Sequence, residues 1–223
     1  MSSVRAQPLP LRARQFHGKK CPVRTATLCR LLLPALLLGF ASCVHKDTDH
    51  HVVVSIADER MVVYTKGHET ARYPVSTSKF ALGDQPGSKG TPLGHLEIAK
   101  KIGDHQPIGM KFHSRQATGE IVPINAPGRD PIVTRILWLK GLEAQNRNAY
   151  GRMIYIHGTA EEWKIGTPAS FGCVRMRSND VVHLFDTVGV GARVDITTAP
   201  LPPSPGEVAA QGERLAAARP AGS

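Results

Sequence analysis

The sequence predicts a mostly β domain. Glycine (21) and proline (17) are plentiful and aromatic residues make up only 5% of the 223-residue chain, a balance that favours turn-rich strand structure over a helix bundle. Short runs rich in Val, Ile and Tyr recur from His51 to Thr197, separated by polar turn residues. Only one stretch carries a convincing helical period, and it lies near the C-terminal end.

Taken in order, the first segment is not part of that domain. Residues 31–40 form an apolar run behind Arg24 and Arg30, too short for the roughly 20 residues of a membrane span but suited to a signal-peptide core. The run ends in Phe40-Ala41-Ser42-Cys43, which resembles the lipobox of bacterial lipoproteins, although Phe40 stands where an aliphatic residue is usual. A lipoprotein is therefore the first reading, a plain secreted protein the second and an uncleaved anchor the last. The expected organisation is a signal peptide over 1–42, cleaved before a lipid-bearing Cys43, a polar tether over 43–50, a folded domain over 51–198, and a disordered Pro/Ala-rich tail over 199–223.

Within the domain, 51–57 and 60–66 read as strands joined at Asp58-Glu59, and 69–77 as a third strand that Pro74 places near an edge or a bulge. Residues 78–90 are a Gly/Pro/Ser/Lys loop. Thr91-Pro92-Leu93-Gly94 leads into a strand over 95–102, and 105–129 has little periodicity, reading as an irregular or hairpin-like excursion at the rim. Strands follow over 132–139 and 153–157, the latter ending on His157. The helix is 178–188: Ser178 or Asn179 can cap it, and Val181, Val182, Phe185 and Val188 share one face. Gly189 and Gly191 stop it, and 192–197 closes the domain as a strand.

Charge excludes one class of function. The formal net charge is +10, but seven Lys/Arg and no Asp/Glu fall in residues 1–42, leaving 21 basic against 18 acidic residues in the remainder, about +3. The basic excess does not belong to the folded part, so nucleic acid is not an expected partner. His45, His50 and His51 read as a solvated linker, because no cysteine or carboxylate spacing completes a metal site. Cys21 and Cys29 fall in the leader and Cys43 is assigned to lipid, which leaves Cys173 alone in the domain as either a buried hydrophobe or a reactive thiol.

The setting of Cys173 favours the reactive thiol. It lies in Ser170-Phe171-Gly172-Cys173-Val174-Arg175, sixteen positions after the histidine of Ile156-His157-Gly158-Thr159. Only about 3% of an unperturbed thiol is ionised at pH 7, so a cysteine nucleophile needs a base or a cation nearby. His157 is the candidate base and Arg175 the candidate cation. The backbone N–H groups of Gly172 and Cys173 are candidates for holding an oxyanion, with Ser170 supporting the loop. Arg175 is open between binding a carboxylate-rich substrate and bracing the loop. Trp163 is open between pocket wall and packing, and His95, His105, His113 and His183 are expected at the surface.

With those motifs in hand, residues 51–197 resemble the L,D-transpeptidase catalytic domain family (YkuD-type). The resemblance rests on Thr91-Pro92-Leu93-Gly94, the His157-Gly158 pair, Ser170 to Arg175, and the trailing helix and strand. One position departs: Phe171 stands where the family usually carries a second histidine. The resemblance implies a mixed β-sandwich or open barrel with one short helix after the cysteine, and no metal or organic cofactor. It implies peptidoglycan stem tetrapeptides as partners, attack by Cys173 on the carbonyl of the third residue, loss of the terminal D-alanine, and 3→3 cross-links or attachment of another amine. It assigns the base role to His157 and the orientation of its ring to the carbonyl of Gly158. Hydrolysis by the same pair as an L,D-carboxypeptidase, and a non-catalytic peptidoglycan-binding lipoprotein, are the alternatives. A monomer on the periplasmic side of the envelope is expected, anchored through Cys43. The outer membrane is favoured, because Val44 supplies no acidic residue after that cysteine.

Overall fold

The computed structural model describes residues 45–128 and 130–217; Cys43, the residue assigned to lipid, and the signal segment lie outside them. Strands β1 (His50–Ser55), β2 (Arg60–Thr65) and β3 (His68–Pro74) form an antiparallel meander, then β4 (Gly94–Ile102) follows the 78–90 loop. A hairpin of β5 (Met110–His113) and β6 (Gln116–Ile121) precedes the long β7 (Ile132–Gly141). The remainder is β8 (Tyr155–Thr159), β9 (Val174–Met176), α1 (Ser178–Thr187), β10 (Arg193–Thr197) and α2 (Pro205–Ala217).

The strands join in one sheet ordered β3-β2-β1-β10-β4-β7-β5-β6, with β8 on the free edge of β7 and β9 beyond it. This sheet curls into an open half-barrel, so the fold is mostly β as the composition implies. Pro74 ends the edge strand β3, where its missing N–H costs no ladder bond. β1 and β10 pair in parallel, His51 opposite Arg193, and so tie the two ends of the domain together.

Alternation along the strands produces two apolar clusters. Val52, Met61, Leu96, Leu139, Ile156, Val174 and Val194 point to one side and pack with Val181, Leu184 and Phe185 of α1. On the other side Met110, Phe112, Ile136 and Tyr155 form a smaller cluster, against which Cys173 is half-buried. Cys173, the candidate nucleophile, belongs to this second side.

Three sequence expectations differ in detail. Helix α1 starts as expected, but its N-cap residue is Arg177, with no side-chain cap bond. Ser178 Oγ pairs with Thr134 Oγ1 at 2.9 Å, and the Glu162 carboxylate accepts from Ser178 N–H at 2.7 Å. The tail expected to be disordered carries α2, begun by a reciprocal cap in Ser204-Pro205-Gly206-Glu207. Glu207 accepts from Ser204 N–H at 2.6 Å, and Ser204 Oγ from Glu207 N–H at 3.3 Å. The tether is held from Asp47 onward, because the Asp47 backbone N–H donates to Val190 O at 2.8 Å and its carboxylate accepts from Gly189 N–H at 2.5 Å.

Candidate active site

The site is built on two short neighbouring strands. β8 and β9 run parallel, with Ile156 opposite Val174 and His157 opposite Arg175. Cys173 immediately precedes β9, which brings it alongside Tyr155; Tyr155 N–H reaches its sulfur at 3.4 Å. Because strand side chains alternate, Tyr155, His157, Cys173 and Arg175 share one face while Ile156, Val174 and Met176 fill the main core. A sixteen-residue separation in sequence thus becomes adjacency on one sheet surface.

His157 is buried and its Nδ1–H donates to the carbonyl of Gly158 at 2.8 Å. A carbonyl can only accept, so Nδ1 carries the proton and Nε2 keeps its lone pair. Burial lowers the imidazole to about 4, with Arg175 adding to the effect and the Gly158 carbonyl and Asp130 opposing it. Burial also raises the Cys173 thiol to about 11, relieved in part by Tyr155 N–H, Arg175 and Arg152. The resting pair is therefore a neutral thiol beside a neutral imidazole. Among the described residues the sulfur bonds Tyr155 N–H and the Met153 carbonyl, the latter at 3.5 Å, and makes no hydrogen bond to His157.

Backbone strain surrounds the histidine. β7 bulges between Val133 and Ile136, which pair with Gly158 and His157 respectively, and within the bulge Thr134 has φ +71°. Left-handed backbone is costly for a β-branched residue, and Thr134 is secured by Gly109 N–H at 3.0 Å and by Ser178. Gly158 lies so close beneath that a Cβ there would meet Val133 O at 2.7 Å.

The cysteine loop is fixed by hydroxyls. Ser170 Oγ donates to the Cys173 carbonyl at 2.6 Å and accepts from Gly172 N–H at 3.1 Å. Thr91 Oγ1 donates to the Gly172 carbonyl at 3.1 Å and accepts from Ser78 N–H at 3.0 Å. Gly172 has φ +118°, and a Cβ there would stand 2.9 Å from Gly90 O.

The YkuD family, described as the L,D-transpeptidase catalytic domain, matches residues 49–196. The chain belongs to this family. The Salmonella typhimurium protein named "Probable L,D-transpeptidase ErfK/SrfK" is 47% identical over 155 residues, covering 67% of this chain and 45% of that relative. The Escherichia coli protein named "Probable L,D-transpeptidase YbiS" is 32% identical over 161 residues, 70% of this chain and 47% of the relative. The chain thus spans about half the length of these two enterobacterial relatives. YqjB of Bacillus subtilis, which carries the same family name, is 47% identical over 149 residues, 67% of this chain and 72% of the relative. Among solved structures, an L,D-transpeptidase from Mycobacterium smegmatis aligns with TM-score 0.43 at 18% identity, over 67% of this chain and 58% of that one.

The geometry bears on three of the residues that the sequence singled out. Gly172 N–H is already taken by Ser170 Oγ, whereas Cys173 N–H has no protein acceptor among the described residues, so the oxyanion candidates reduce to Cys173 N–H. Arg175 is buried, with its terminal nitrogens on Asp130 Oδ2 at 3.1 Å and Glu161 Oε2 at 3.2 Å; a substrate carboxylate would have to displace an internal partner, so the geometry favours bracing. Trp163 is 69% exposed with the Lys164 ammonium over its ring, which fits neither pocket wall nor core packing. His95, His105, His113 and His183 are exposed, as expected.

Sequence reasoning missed Thr91 as a clamp on the cysteine loop and Asp130 as the partner of Arg175. The Thr-Pro-x-Gly motif signals the first once the loop it touches is known. Nothing local signals the second.

Two cavities lie beside the site, one of them lined by Cys173. The nearer, about 410 Å³, is lined by Cys173, Tyr155, Met153, Arg152 and Arg115. The larger, about 840 Å³, holds Asp130, Glu161, Arg175 and the lysines 79, 111 and 164. Phe112 and Phe171 line both and form the partition between them.

Proposed function

We propose that this protein is a peptidoglycan L,D-transpeptidase that works through a thioester on Cys173. The observation that carries this reading is the shared sheet face of Cys173 and His157. There the imidazole is held through Nδ1 by Gly158 and presents an unprotonated Nε2. The thiol turns from the Met153 carbonyl toward His157, since apo catalytic bonds commonly tighten only with substrate bound.

The balance of the reaction is simple. The Cys173 Sγ–H proton passes to His157 Nε2 as sulfur bonds to the carbonyl carbon of the third stem residue. Cys173 N–H supports the oxyanion. The C–N bond to the terminal D-alanine then breaks, and the imidazolium returns its proton to the departing amine. An acceptor amine, of a second stem or of another molecule, attacks the thioester carbonyl and gives up a proton to His157 Nε2; the C–S bond breaks and the imidazolium returns that proton to Cys173 Sγ. With a diamino acid as acceptor the product is a 3→3 cross-link. The leader and Cys43 support a lipid-anchored position on the periplasmic side of the envelope.

Mass analysis of purified protein incubated with disaccharide-tetrapeptide tests this directly. Cross-linked dimers and free D-alanine are expected, whereas tripeptide alone would assign hydrolysis, and an untouched substrate with an unmodified thiol would leave a binding module. Cys173→Ala should abolish turnover while keeping the fold. His157→Ala should lower kcat/KM by roughly 10²–10⁴-fold, the span of a lost general base; a near-normal rate would remove His157 from that role.

A further inference from the structure

The β5–β6 hairpin turns on Ser114 and Arg115, both in left-handed backbone with φ +48° and +67°. A two-residue turn of this kind favours Asn-Gly, because non-glycine residues resist positive φ. An arginine kept there against preference has to be accounted for by where its side chain goes. It runs into the cavity that holds Cys173. The guanidinium lies 4.9 Å from the Trp138 ring, and its NH1 is 3.2 Å from Met153 Sδ and 3.5 Å from the Tyr155 hydroxyl.

Two contacts join this arginine to the sulfur. Met153, itself at φ +60°, offers its thioether to Arg115 and its carbonyl to Cys173 Sγ, 3.5 Å away. Tyr155 offers its hydroxyl to Arg115 and its N–H to the same sulfur. The charge is also uncompensated. Among the described residues no carboxylate lies within ion-pair distance of Arg115, and the lining of this cavity includes no acid. The other arginine there, Arg152, is committed to Asp84 Oδ1 at 2.8 Å and to Gly90 O at 2.8 Å.

We propose that Arg115 is a specificity-determining residue that receives a carboxylate of the acyl-donor peptide, holding the donor in the cavity while its carbonyl faces Cys173. A guanidinium held by an aromatic face, a thioether and a phenol keeps its hydrogen-bonding edge for a planar anion. This deepens the proposed transpeptidase reading and rests on it for the identity of the donor. Two carboxylates could fill the role: the terminal one on the leaving residue, or a side-chain one on a diamino acid at position three.

The test compares three tetrapeptide donors with the purified protein: both carboxylates free, the terminal one amidated, or the side-chain one amidated. Arg115→Met should lower kcat/KM for the free donor about 10–100-fold, mainly through KM, as expected for loss of a charge-assisted contact. For one of the two amides, wild type and variant should become equal, and that amide identifies the carboxylate that is read. Arg115→Lys should recover part of the loss. An Arg115→Met protein that retained the wild-type preference for free acid over both amides would overturn the subsite. Calorimetric binding of the same peptides to Cys173→Ala, with and without Arg115→Met, separates this inference from the proposed reaction. Acid-over-amide discrimination that depends on Arg115 would uphold the subsite even without turnover, whereas equal binding of all three peptides would overturn it.

Discussion

Burial moves the two proposed reacting groups in opposite directions, taking His157 down to about 4 and Cys173 up to about 11. The proton therefore stays on sulfur at neutral pH, and the imidazole is ready as a base without an ion pair having formed. The sign of the pH dependence follows. Protonation of His157 removes the base, so kcat/KM should stay level from neutrality to about pH 5 and fall only as pH approaches about 4. Initial rates with a tetrapeptide donor across pH 3.5–8, for wild type and for a protein kept folded throughout, are the measurement. An acid limb near the ordinary histidine value of about 6.5 would mean that water reaches the ring and that burial does not control it. The pairing of Cys173 with His157 as candidates was legible in sequence because a thiol and a base at suitable spacing form a chemical pattern, whereas the Gly158 carbonyl entered only through the family resemblance. The role of Arg175 was not legible. Its choice between substrate and scaffold depends on Asp130 and Glu161, which the chain brings to it from other segments. Gly172 differs, because the hydroxyl that takes its N–H stands only two residues earlier, on Ser170.

At the level of elements, strands with alternating faces were easy to read and short connecting pieces were not. β4 and β10 place Leu96 and Ile98, and Val194 and Ile196, at alternate positions, while β1, β2 and β7 carry short continuous apolar runs, so their existence follows from sequence. β9 has three residues, all buried, and a run that short has no period to detect. α2 shows the opposite failure: its Pro/Ala/Gly composition suggested disorder, while Ser204-Pro205-Gly206-Glu207 held the cap that starts it. The loop before β4 matters most for the site. Thr91 reaches across to the Gly172 carbonyl and also receives Ser78 N–H, so one hydroxyl couples the 78–90 loop to the cysteine turn. Thr91→Val keeps the shape and deletes both bonds, leaving a buried N–H unpaired at a cost of about 1–3 kcal/mol. A lowered melting temperature is expected, together with slower acylation of Cys173 because its loop is no longer clamped. Unchanged acylation in a destabilised protein would show that Ser170 alone holds the turn.

Across the folded domain, the main core and the candidate site occupy opposite sides of the same curled sheet. The main core lies between the concave strands and α1, with Leu96 fully buried on β4, between β10 and β7. The cavities lie on the other side, divided by Phe171, which is 55% exposed and packs against Phe80 with ring centroids 5.0 Å apart. Lys79 and Lys89 each place an ammonium within about 5.5 Å of the Phe171 ring, so this aromatic pair is covered by charge rather than by core. The separation predicts that substitutions divide cleanly. Leu96→Ala removes packing that no neighbour can replace and should cost about 2–5 kcal/mol, with a melting temperature lower by about 2–4 °C for each kcal/mol. Its residual kcat/KM, measured well below that melting point, should remain close to wild type, because the sheet still sets the register of β8 and β9. Phe171→His should do the reverse, holding stability within about 0.5 kcal/mol while changing how substrates pass between the two cavities. Paired thermal melts and donor kinetics on the two variants check this. If Phe171→His melted as early as Leu96→Ala, the partition would belong to the core, and the Phe171 position would owe its aromatic residue to folding instead of substrate passage.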